Sequence, residues 1–465
     1  MRKRITPKSW LSWLAAVAWL APLTAQAQPA DHAYHPDRFT LLARSETHIS
    51  LFQRALLPGA NGSLISTETV VPLEQYILLD ARGLDTSWDE DSVDVEFAGW
   101  SQVALGGLED EQRLDGDIQT ALVRYRRGRV AAQLGRQQAV STAARYARFD
   151  GAALSADLGV GLDVNAYGGF TVLPRYNRTP QYASLGGLPD ARLKDPSVLE
   201  PVSRGGYWLA GGRLGYQRPL IRGGLSLHEQ REDAELARRN LGLDLSAGPW
   251  ATATLGSQAL FDTDATRIAD ARVWIDSAPL DELDVSVEYL HTEPALLLSR
   301  QSVLSVFGGS GYDEASALGR LKVTQALTVE GAGAFQVYDV DRPGSRGELG
   351  ARLLADSLRQ VVVRVGYARL IAPENGYHSL RAGLSSHLLP ALSGTLEVYG
   401  YFYDEAIREL RTSSVYAGTL SYQATPALDV LWGTSLARSP YAALDAQTQL
   451  RLTYVFDSAV ATRSP

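Results

Sequence analysis

The amino-acid sequence predicts an all-β protein: a closed antiparallel transmembrane β-barrel of about 20 strands, with 18 to 22 as the expected range. Three observations carry that expectation. Segments of alternating apolar and polar residues recur along most of the chain. A short apolar N-terminal run is followed by no stretch long enough for a membrane-spanning helix. The connections between segments alternate between short turns and long polar loops.

The last periodic segment, Leu444 to Phe456, is the clearest. Leu444, Ala446, Thr448, Leu450, Leu452, Tyr454 and Phe456 fall on one side of an extended chain, and Asp445, Gln447, Gln449, Arg451 and Thr453 on the other. Side chains alternate across a strand, so one face is apolar and one polar. The run has the length of a tilted spanning strand, roughly 9–11 residues. Taken alone it also fits an edge strand of a soluble β-domain.

From the beginning, residues 1–27 read as a secretory signal. Arg2, Lys3, Arg4 and Lys8 are basic, Leu11 to Leu23 is apolar, and Ala25-Gln26-Ala27 has the small-x-small form of a cleavage site. The apolar run is shorter than the ~20 residues of a spanning helix. Removing it takes four basic and no acidic residues from a chain of net charge −8, leaving −12, which argues against nucleic acid as a partner. The chain has no cysteine, so neither a disulfide framework nor thiolate metal ligation is available. Its 465 residues alone suggest about two or three domains, a prior that all-β proteins often break.

Residues 28–91 form an N-terminal periplasmic or barrel-entry segment. Thr47 to Leu57 and Leu73 to Leu84 are candidate strands within it, left open as barrel strands or as segments lying against the barrel. Residues 92–456 are the barrel and 457–465 a C-terminal tail. In the barrel, Val93, Val95 and Phe97 alternate with Asp94 and Glu96. Leu162, Val164, Ala166 and Phe170 alternate with Asp163, Asn165 and Tyr167. Val361, Val363, Val365 and Tyr367 stand opposite Arg364. Short connections at Leu158–Gly161, Pro219–Gly223 and Leu388–Leu392 are separated by long ones such as Pro174–Gly206 and Thr292–Asp313. Short turns at one end and long loops at the other suit a barrel, and in lipid a closed barrel leaves no backbone group unpaired. A propeller is the competitor, but no blade-length repeat recurs.

The closing segment resembles the last strand of bacterial outer-membrane β-barrels, which ends on an aromatic residue with another aromatic or apolar residue two positions earlier; Tyr454 and Phe456 match. Arg451 departs from the Gly common there, and a tail follows the aromatic. Gly135-Arg136-Gln137 followed by Phe149-Asp150-Gly151-Ala152 resembles a turn-to-strand signature of alginate-export-like outer-membrane porins. That resemblance implies a wide barrel exporting an acidic polysaccharide, with Arg136 and Gln137 at a loop base and Arg136, Arg145 and Arg148 offering guanidinium forks to sugar carboxylates.

The polar face of the segments supplies the lumen-lining candidates: Asp94, Glu96, Asp117, Asp163, Asn165, Arg213, Asp244, Asp284, Glu288, Glu330, Arg364, Arg381, Glu397, Asp429 and Arg451, with Arg352 beside them. Mixed signs with an acidic excess suit neutral or cationic solutes better than a strong polyanion, unless the acids pair across the wall. For enzyme chemistry, His291, Glu293, Asp313 and His378 are the candidate groups; no nucleophile motif, metal-spaced His pair or phosphate loop accompanies them. The expectation is therefore no catalytic residue, no metal and no cofactor. The function expected is passive passage or export of a solute or polysaccharide; the alternative is a structural barrel in a trans-envelope machine. Expected partners are outer-membrane lipid and the barrel-assembly machinery, with polysaccharide or periplasmic export components as further candidates. The apolar loop Thr292–Asp313 is expected to fold inward as a lumen constriction; the alternatives are docking on a partner, or extension of its two strands above the membrane with packing on neighbouring loops.

Overall fold

The computed structural model describes residues 39–56, 69–85, 91–106, 114–172, 207–232, 235–250, 252–297, 311–338, 342–372 and 375–458. Among them, 22 strands form one sheet in which each strand runs antiparallel to both neighbours. Strand β1 (Thr40–Leu56) pairs with β22 (Ala442–Asp457) from Leu42↔Asp457 to Leu56↔Ala442, and this pairing closes the barrel. Closure gives every strand a neighbour on both sides, so the sheet has no free edge strand.

The barrel begins at Thr40, not at residue 92: β1 and β2 (Pro72–Asp85) are full wall strands. Their alternation is hard to read because polar residues stand on the apolar side. Ser45 and Thr47 share a face with Ile49 and Leu51, and Gln75 shares it with Ile77 and Leu79. These groups satisfy one another: the Thr47 hydroxyl donates to Gln75 Oε1 at 2.6 Å, and Gln75 Nε2 donates to the Ser45 hydroxyl at 2.8 Å.

The two faces of the wall differ sharply. On β9 (Ile221–Glu232), Leu225 and Leu227 are about half exposed, while Ser226 and His228 between them are 1% and 0% exposed. Following the register around the barrel puts Leu241, Leu243, Phe170, Val365, Leu450 and Leu452 on the outer face with Leu225. Exposed aromatics on that face form two levels. Phe170, Trp208, Tyr289, Tyr367 and Phe402 lie toward the long-loop end; Tyr125, Tyr216, Tyr422, Tyr454 and Phe456 lie toward the end that holds Thr40 and Asp457.

Candidate functional site: a loop folded into the lumen

Strands β5 (Val130–Ala139) and β6 (Ala147–Gly159) are joined at the long-loop end by residues 140–146, which turn into the barrel. The loop crosses the inner wall to β9 and β10 (Glu235–Trp250). There the Ala143 amide donates to the Ser226 hydroxyl at 3.1 Å, and Asn240 Nδ2 donates to the Ala143 carbonyl at 3.1 Å. The Thr142 hydroxyl approaches Asp244 at 3.4 Å. Within the loop, Ala144 N donates to the Ser141 hydroxyl at 3.1 Å and Arg145 N to the Ser141 carbonyl at 2.7 Å. Ala143 and Ala144 are fully buried. Small residues are what allow this: a Cβ placed on Gly242 of β10 would collide with the Ala143 amide.

Beneath the loop lies a small core inside the barrel, built from Ala139, Ala144, Ala147, Phe149, Tyr167 and Leu209. The Phe149 and Tyr167 rings are 5.6 Å apart, and the Tyr167 hydroxyl meets His228 Nδ1 at 3.1 Å. The strand tips reach inward because the chain bends at glycines. Gly135 has φ +123, a conformation side chains resist, and a Cβ on Gly151 would strike the backbone of Gly168 in β7 (Leu162–Thr171).

Arg145, at the loop tip, is exposed and lies close enough to Asp270 of β12 (Arg267–Leu280) for their charges to interact. Beyond β12 the lumen face carries tyrosines. Tyr312 and Tyr338 are 5.8 Å apart, Tyr377 is 5.6 Å from Tyr401, and the Arg381 guanidinium lies 5.1 Å over the Tyr399 ring.

The lumen-side carboxylates are largely engaged. Arg213 bonds Asp244 at 2.7 Å and approaches Asp163 at 3.6 Å; Asn165 is its cross-strand partner. Arg272 holds Glu288 at 2.5 Å, Arg381 holds Glu397 at 2.8 Å, and Arg320 stands 3.8 Å from Glu330 and opposite Asp284. Arg148 holds Asp117 at 2.5 Å. Asp94 accepts the Gly83 amide and Asp429 accepts the Ser421 hydroxyl; Glu96 is an exception, standing opposite a second carboxylate, Asp80, which Arg82 holds. Arg451 stands opposite His48. Arg364 of β17 (Val361–Ile371) is directly opposite Arg352 of β16 (Arg342–Asp356), and among the described residues neither forms an ion pair within 4.0 Å.

The residues behind the alginate-export resemblance serve the wall. Arg136 places its fork on Asp150 at 2.7 and 2.8 Å and donates to the Ile118 carbonyl; Gln137 is buried and donates to the Gly151 carbonyl. With Arg148 on Asp117, two of the three arginines expected to meet sugar are committed elsewhere. His291 pairs with Asp313 at 3.0 Å and His378 with the Tyr367 hydroxyl at 2.6 Å, both on the outer face. Among the described residues no group of three or more His, Asp or Glu side chains is placed to hold a metal ion. Of the expected constriction at Thr292–Asp313, residues 298–310 lie outside the described residues, as do residues 1–27; Pro294–Leu297 is one 3-10 turn. The inward loop 140–146 is not legible in the sequence: its small residues between Gly135 and Gly151 carry neither an apolar nor a charge pattern, and the contacts that hold it are made with β9 and β10.

Closure of the sheet, an apolar outer face bounded by two levels of aromatics and a polar interior belong together only in a membrane. The chain is a bacterial outer-membrane β-barrel. No family model matches it, and no curated protein does. Among solved structures it is similar to Pseudomonas aeruginosa OpdQ (12% identity, 90% of this chain and 97% of that one, TM-score 0.40). It is similar also to the P. aeruginosa outer-membrane protein OpdK (10% identity, 90% and 99%, TM-score 0.42). A third is a BenF-like porin from Pseudomonas fluorescens (9% identity, 90% and 99%, TM-score 0.42). Function is therefore read from this chain's own lumen.

Proposed function

We propose that the protein is a passive channel for small hydrophilic solutes, narrowed by the β5–β6 loop and favouring anions. The observation that carries this reading is the loop 140–146 hydrogen-bonded across the lumen wall to Ser226 and Asn240. The stretch of wall from β5 to β10, covered by an inward loop, leaves a passage between Arg145 and the tyrosine-bearing side. A polymer such as an exported polysaccharide fits this narrowing poorly, and a purely structural barrel has no use for a polar, loop-lined lumen.

The charge preference follows from pairing, not from counting. Acids outnumber bases on the lumen face, but a carboxylate held by an arginine projects little field. Arg352 and Arg364 face each other instead, an arrangement that costs stability and is supported by counter-ions. The reading includes export of a precursor whose residues 1–27 are removed, insertion by the barrel-assembly machinery, and no catalytic role or cofactor.

The test is conductance of the purified protein in planar bilayers under a salt gradient. The expected result is a steady ohmic conductance with a reversal potential on the anion side. Absence of conductance would favour the structural-barrel reading, and a cation-side potential would remove the role of Arg352 and Arg364.

A further inference from the structure

We propose that the seam between β4 (Leu114–Arg127) and β5 is a second, lateral passage, through which single-chain amphiphiles move between the lumen and the outer leaflet. The wall there is incomplete. On its other side β4 pairs with β3 (Asp91–Ala104) as far as Val103↔Leu114, but its ladder with β5 runs only from Arg127↔Val130 to Ala121↔Arg136. Among the described residues, the β5-side edge of β4 carries no backbone rung from Leu114 to Thr120. The cause is the inward loop: the tips of β5 and β6 bend into the lumen beyond Gly135 and Gly151 and leave β4 behind.

Side chains close the gap. Arg136 donates to the Ile118 carbonyl at 3.1 Å and stands 3.7 Å from Asp117; Arg148 holds Asp117 at 2.5 Å. The side chains of Asp117 and Arg148 are only 8% and 3% exposed, so the seal is dry. A backbone ladder opens only at high cost in lipid, whereas this seam is held by side-chain contacts, Arg136 to the Ile118 carbonyl and Arg136 and Arg148 to Asp117.

An open groove of about 440 Å³ adjoins the seam on the outer face. Ile77, Phe97 and Ile118 give it apolar walls, and Gly99 and Gly116 leave its floor bare. Gln75 and Ser101 add hydrogen-bonding groups, and Asp117 lies at its edge. Apolar walls running up to a charged seam match a molecule with one alkyl chain and a polar head.

The protein has no native cysteine, so an introduced pair can be joined uniquely. The variant Ile118→Cys/Gln138→Cys places one thiol on β4 and one on the tip of β5, on the two sides of the seam. Cells carrying it, with and without a short bis-maleimide crosslink, are compared for uptake of labelled laurate, and the purified protein for conductance. The expected result is laurate uptake above vector cells that falls at least fivefold on crosslinking, with conductance unchanged. Asp117→Asn, which loosens the seal, should raise uptake severalfold. Uptake no greater than in vector cells, uptake indifferent to the crosslink, or a parallel fall in uptake and conductance would each overturn the portal. Failure of the channel reading is distinct, because it appears as absent conductance whatever laurate does.

Discussion

Ala143 and Ser226 lie 83 positions apart in sequence, and the hydrogen bond between the Ala143 amide and the Ser226 hydroxyl fastens the top of β5 to the lumen face of β9. That contact converts a connecting loop into part of the channel wall, and most of the expected behaviour depends on it.

Asn240→Ala should loosen the loop. It leaves the buried Ala143 carbonyl without its donor, at a cost of about 1–3 kcal/mol. Single-channel recordings are expected to show larger or flickering openings, with heat-resistant folding on gels retained. A steady wild-type conductance would mean that the loop does not limit flow.

Gly242→Val attacks the same contact from the wall, because even a Cβ collides with the Ala143 amide. The barrel should still form, since the alternating outer face is untouched. Conductance is expected to rise as it does in Asn240→Ala, and the double variant should add little, because both act on one loop.

Arg352→Gln and Arg364→Gln should each lower the anion-to-cation permeability ratio. Both are lumen-facing and open to counter-ions, so the wild-type preference should itself shrink as the salt is raised toward about 1 M, where the screening length is about 3 Å. Reversal potentials at low and high salt measure both effects.

Val363→Arg and Arg364→Ala separate the two faces. Val363 stands beside exposed Val365 on the outer side, where an arginine near the membrane midplane costs about 2–4 kcal/mol. Folded yield should drop for Val363→Arg and hold for Arg364→Ala, as read by heat-modifiable migration on gels.

Phe456→Ala should impair insertion, while deletion of residues 459–465 should not. Phe456 is exposed on the outer face opposite Ala43, where β22 closes onto β1. Assembly is checked by protease resistance of outer-membrane fractions.

The sequence by itself determined the faces of the wall, the turns and the closing strand, because all three follow from a two-residue period that neighbouring residues carry. It came near the 22 strands and missed β1 and β2 as certain members, since Ser45, Thr47 and Gln75 interrupt the period with polar groups that are satisfied only across the ladder. The tertiary structure alone decided which carboxylates are neutralised, which loop enters the lumen and where the wall lacks a ladder. Those outcomes rest on contacts between residues far apart in the chain, such as Asn240 with Ala143 and Arg148 with Asp117, and no local pattern encodes them. The apolar loop at Thr292–Asp313 drew attention by composition. The loop at 140–146 enters because alanines and glycines let two backbones meet, and small residues leave no hydrophobic mark in a sequence.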